Sequence, residues 1–75
     1  MNNELIFELS DSFADRMIRE AGGQNSDQVR LVYLVAYGRE ASDEEVQLAV
    51  QFVGQHGLPS LCRVILNSNE FLYVR

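Results

Sequence analysis

The stretch Asn25-Ser26-Asp27-Gln28-Val29-Arg30-Leu31-Val32-Tyr33-Leu34-Val35-Ala36-Tyr37-Gly38 decides the fold of this chain. Between Val29 and Tyr37 the only charged residue is Arg30, and the β-branched content suits a buried strand as well as a helix. The flanks choose between them. Asn25 followed by Gln28, or Ser26 acting directly, offers a helix cap, and Gly38 offers a stop. Read as a helix, the stretch places Val29, Val32, Tyr33, Ala36 and Tyr37 on one side, with Leu31, Leu34 and Val35 over the remainder. A helix apolar on nearly every side is either central to its domain or covered by something outside it.

Working outward, every neighbour is also helical. Asn2 or Asn3 can cap a first helix that runs to about Ala21 and stops at Gly22-Gly23. Ile6, Leu9, Phe13, Ala14, Met17, Ile18 and Ala21 fill one half of its cylinder. Glu8, Asp11, Asp15 and Arg19 fill the other, with Asp15 and Arg19 in the favourable i, i+4 order. Ser10 falls in the apolar half, where a bond back to the carbonyl four residues earlier satisfies its hydroxyl. Downstream, Ser42-Asp43-Glu44-Glu45 is a capping box that starts a third helix, which runs to about His56 and stops at Gly57. Val46, Ala49, Val50 and Val53 form its main stripe, and Leu48 and Phe52 form a second apolar pair. Gly54 weakens that helix by about 1 kcal/mol relative to alanine and suggests a close crossing there. Pro59 suits the first position of a fourth helix carried by Leu61, Cys62, Val64, Ile65 and Leu66 to Asn67.

The fold class is therefore all-α: residues 1–75 form a single domain, a compact bundle of four short helices with a packed C-terminal tail or turn. The second helix is expected to be the most buried, with Phe13, Met17, Val32, Ala36, Val50, Val53 and Ile65 in the core. Asn67, Ser68, Asn69 and Glu70 read as a stop and a new cap, and Phe71, Leu72, Tyr73 and Val74 as a segment packed on the body.

Composition narrows the function. Six arginines and no lysine against eleven acidic residues give a net charge of -5, the wrong sign for a phosphate backbone. No nucleic acid is expected as a partner. The longest apolar run, Leu31 to Tyr37, is far short of the roughly 20 residues that span a bilayer, so no membrane insertion is expected. Residues 1–15 are acidic, without the basic start of a secretory signal. His56 and Cys62 stand alone as soft ligands, too few for a metal centre and without the partners of a nucleophilic pair. Asp43-Glu44-Glu45 lacks the alternation of a calcium loop and reads as a charged helix start. Arg16, Arg19, Arg30 and Arg63 read as solvated or paired among the many acids. No catalytic, cofactor-binding or metal-binding residue is assigned, and no cofactor is expected.

Two stretches resemble a known family. Leu61-Cys62-Arg63-Val64-Ile65-Leu66-Asn67-Ser68-Asn69-Glu70-Phe71-Leu72-Tyr73-Val74 closely resembles the C-terminal signature of the domain of unknown function 1553 family. Val29 to Glu40 is similar to the segment before it, as is Ser42-Asp43-Glu44-Glu45, although the family usually has proline where this chain has Ala41. Met1-Asn2-Asn3 and Phe13-Ala14-Asp15-Arg16 look like the entry to the same region. The resemblance implies the C-terminal part of a large exported or periplasmic bacterial protein, of a kind common in planctomycetes. Such proteins often carry a cytochrome-c-like domain, where any haem would sit, and have no established activity. The turn Gly38-Arg39-Glu40 also resembles helical modules related to phycobilisome linkers, over a shorter and more generic span.

These readings favour a non-catalytic docking or interaction module, with the upstream domains of the parent protein or a second copy as partner. Leu31, Leu34, Val35, Leu48 and Phe52 are the candidate surface, because they cannot all face a core that already takes Val32, Ala36, Val46, Val50 and Val53. If the second helix is wrapped by the other three, no such patch remains. An alternative is part of an active site completed by upstream domains, which would gather Arg39, Glu40, His56 or Glu70 in one cleft. A third is a small stand-alone regulatory protein, which requires Met1 to be a true start.

Overall fold

The computed structural model of the protein describes residues 3–68. Those residues form four α-helices, α1 (Asn3–Ala21), α2 (Asn25–Tyr37), α3 (Asp43–His56) and α4 (Leu58–Leu66), with no strand among them. The stretch Val29–Tyr37 is helical, and the ends of the helices follow local chemistry. Gly38 adopts left-handed backbone at φ 71°, and its amide closes α2 on the Leu34 carbonyl. The Ser42 hydroxyl accepts from the Glu45 amide and the Glu45 carboxylate accepts from the Ser42 amide, completing the capping box of α3. Gly57, at φ 88° and ψ 157°, ends α3 and precedes α4 at once. That backbone region is essentially open only to glycine, so one residue turns the chain between two helices.

Two helix starts differ from expectation. The residue before α2 is Gln24, which makes no side-chain cap bond, so neither Asn25 nor Ser26 caps this helix. Gln28 instead donates its amide to the Gly22 carbonyl at 2.7 Å, tying the first turn of α2 to the end of α1. α4 begins at Leu58, which puts Pro59 at its second position, still within the turn where a missing N–H is harmless.

The four helices pack into one body, with a Cα radius of gyration of 11.5 Å, near the roughly 11 Å of a folded chain this long. α1 and α3 do not pack on each other; each packs on both α2 and α4. Met17, Val32, Ala36, Val53 and Ile65 are buried as expected, while Phe13 and Val50 lie half-buried at the edge of the core.

The most deeply embedded helix is α4 rather than α2. Four of its nine residues, Leu58, Leu61, Cys62 and Ile65, are buried. α2 buries four of thirteen, and one of those is Gln28. Its far side carries Leu34 and Val35, both exposed, because no helix covers it.

α1 also buries a narrower stripe than half a cylinder. Ile6, Ser10, Ala14 and Met17 face inward, while Leu9 and Ile18 remain exposed. The Ser10 hydroxyl donates back to the Ile6 carbonyl, as its place in the apolar stripe requires. Arg16 pairs with Glu20 at 2.8 Å, whereas Asp15 and Arg19 form no ion pair among the described residues. At Gly54 an added Cβ would meet nothing within 4 Å, so no close crossing occurs there.

Candidate interaction surface

α2 presents two flanks, and each borders a separate groove. One groove, of about 490 Å³, lies between the C-terminal end of α1, α2 and the turn into α3. Leu31 and Leu34 line it, with Ala21 and Ala41 beside them and Glu20, Asp27, Arg30 and Glu40 around them. The other, of about 230 Å³, is lined by Tyr33 of α2, Glu45, Leu48, Ala49 and Phe52 of α3, and Leu61 of α4. The two share no lining residue. Four of the five candidate surface residues are thus divided between the grooves, Leu31 and Leu34 in one and Leu48 and Phe52 in the other, while Val35 lines neither.

Their exposure differs as well. Leu48 is 67% exposed, Leu34 51% and Val35 41%. Leu31 and Phe52 are half-buried and pack against the core cluster, so they form walls and not summits. Phe52 also meets the ring of His56 one turn later, tilted at 45° with centroids 4.8 Å apart.

Bordering the second groove, through its lining residues Tyr33 and Glu45, is a polar junction that sequence reasoning did not single out. Arg39 grips Glu45 through two parallel bonds of 2.8 and 2.9 Å. The same guanidinium lies 5.5 Å from the Tyr33 ring centre and 5.4 Å from that of Tyr37, and the two tyrosines meet edge to face at 5.3 Å. Both contacts suit a planar cation that stacks and forks at once. The Arg39 guanidinium, and then the Ser42 amide, hold the Glu45 carboxyl well below its ordinary range, at about 2. Only the Glu45 half was legible from the capping box; the arginine arrives through the turn.

Arg39, Glu40 and His56 do not gather. Arg39 and Glu40 precede α3, His56 is its last residue, and the fourteen-residue helix separates them by about 20 Å. Glu70 lies outside the described residues. Among the described residues no group of three or more His, Cys, Asp or Glu is placed to hold a metal ion. Cys62 is buried, and burial pushes its thiol up to about 12 against a small opposing effect of Arg63, so its reactive thiolate is suppressed.

The described part of the C-terminal signature is a helix end. Asn67 donates its side-chain amide to the Arg63 carbonyl at 3.0 Å, and the Ser68 hydroxyl lies 2.7 Å from the Ile65 carbonyl. Ser68 also meets the Tyr37 hydroxyl at 2.8 Å, joining the ends of α2 and α4. Asn69, Glu70, Phe71, Leu72 and Tyr73 lie outside the described residues. Arg63 reaches Asp11 at 4.0 Å and covers the Phe7 ring at 4.5 Å, so it is engaged by α1.

Among the described residues no helix is long and apolar enough to cross a membrane. No family model, curated protein or solved structure matches the chain.

Proposed function

We propose that this chain is a non-catalytic helical docking module of a larger exported protein, of the type resembling the domain of unknown function 1553 family. Its partner is the upstream part of that protein. The observation that carries the reading is the apolar surface of α2 and α3, where Leu34 and Leu48 stand more than half exposed. Fully burying one such side chain is worth about 1.5–3 kcal/mol, so a partner that covers several gains much of a modest affinity. The described residues supply few convergent polar groups beyond Arg39 and Glu45, which already satisfy each other.

Calorimetry with the upstream domains tests the reading directly. The wild-type chain should bind them, and Leu48→Glu with Phe52→Glu should weaken binding at least about tenfold while helicity is unchanged. Binding and oligomeric state that both survive the double substitution place the interface elsewhere. Dimerisation that the same substitution abolishes, without any binding to the upstream domains, makes a second copy the partner instead.

A further inference from the structure

The groove between α1, α2 and the turn into α3 joins an apolar wall to an acidic rim. Its volume of about 490 Å³ falls in the range of roughly 300–1,000 Å³ typical of sites that hold a compact ligand. Leu31 and Leu34 form the wall. On the rim, Glu20 is already held by Arg16 at 2.8 Å. Asp27 and Glu40 are exposed, and their carboxylates have no ion-pair partner among the described residues.

Whatever covers the leucines also takes these carboxylates partly out of water. A buried carboxylate without a cation is costly, and among the described residues Arg30 is the sole cation lining the groove. An uncharged apolar occupant would leave at least one acid stranded, and an acidic one would meet repulsion. The whole chain, at net charge -5, draws cationic partners toward it.

We infer that this groove takes a basic peptide segment of the partner. One or two of its aliphatic side chains pack on Leu31 and Leu34, and a flanking lysine or arginine pairs with Asp27 and another with Glu40. The inference rests on the docking-module reading and adds the chemistry of the segment that docks at this flank of α2.

A titration followed by methyl NMR tests it on the intact chain, with two probes. One is a short peptide carrying two leucines flanked by lysines; the other has glutamates in place of the lysines. The lysine peptide should shift the Leu31 and Leu34 methyl signals and bind at least about tenfold tighter than its acidic counterpart. Asp27→Lys with Glu40→Lys, both at exposed positions, should invert that preference without changing helicity. Equal binding of the two peptides, silent Leu31 and Leu34 methyls, or a preference that the reversal leaves unchanged overturns the inference. If the reversed variant still docks normally on the upstream domains, this inference falls while the docking module stands. If the wild-type chain does not dock there at all, the module reading falls first, and the peptide titration reports on the groove alone.

Discussion

The Glu45 carboxylate accepts from the Ser42 amide at 2.8 Å and from the two terminal nitrogens of Arg39 at 2.8 and 2.9 Å. All three bonds favour the charged form, which is why its pKa falls from the ordinary 4.5 to about 2. A carboxyl depressed on folding contributes stability that is complete above its unfolded pKa and is lost as pH falls through the folded one. The window here lies between about 4.5 and 2. Glu45→Gln should therefore lower Tm at neutral pH, with the gap from wild type closing as pH approaches the lower limit. Thermal melts across that range check it; a gap independent of pH would mean that the charge contributes nothing. Ser42→Ala removes the other half of the box and should cost about 1 kcal/mol in urea denaturation. No loss there would show that α3 does not depend on this cap.

At the scale of elements, two glycines on either side of the end of α3 should respond in opposite directions. Gly54 is exposed in the last turn of α3, with nothing within 4 Å of an added Cβ. Gly54→Ala should stabilise by about 0.5–1 kcal/mol, through helix propensity and a less flexible unfolded chain. At Gly57 an added Cβ would meet only Pro59 at an ordinary 3.7 Å, so the obstacle is the backbone at φ 88°. Gly57→Ala should cost about 1–3 kcal/mol. Denaturant midpoints moving the same way for both would contradict the reading of this junction. The contrast also marks what sequence could convey about the elements. The Ser42–Glu45 box and the Gly38 and Gly57 stops act within one turn, so their residues announce them. The start of α2 rests on Gln28 reaching the Gly22 carbonyl, a bond across an interhelical turn that no capping pattern encodes. Likewise, periodicity gave α1 an apolar half-cylinder, but which part of it is buried depends on which helices lie against it, and Leu9 and Ile18 were left outside.

The same limit governs the site across the whole molecule. Of the surplus apolar residues expected on α2 and α3, Leu34, Val35 and Leu48 are exposed, because a small bundle has too little interior for all of them, whereas Leu31 and Phe52 are half-buried against the core. Their division between two flanks was not legible, since it depends on how α2 lies against α1 and α3. The acids near Leu31 were half legible: Asp27 lies one turn before Leu31, whereas Glu20 and Glu40 come from other segments. Whether the four helices open as one body is a property that Cys62 can report. Cys62 is fully buried on α4, which like α2 touches the other three helices, and its thiol is pushed up to about 12. Labelling then needs an opening that takes α4 out of the core. A domain of this size holds about 3–5 kcal/mol of stability, so a thiol-reactive dye should label the native chain roughly 10²–10⁴-fold more slowly than the chain in urea. Leu48→Glu, at an exposed position, should leave that protection nearly unchanged, because surface substitutions rarely move stability by more than about 0.5 kcal/mol. Gly57→Ala should erode it by the factor that its loss of stability implies. Native labelling as fast as in urea would mean that α4 opens without the rest, and the bundle would then be two units rather than one.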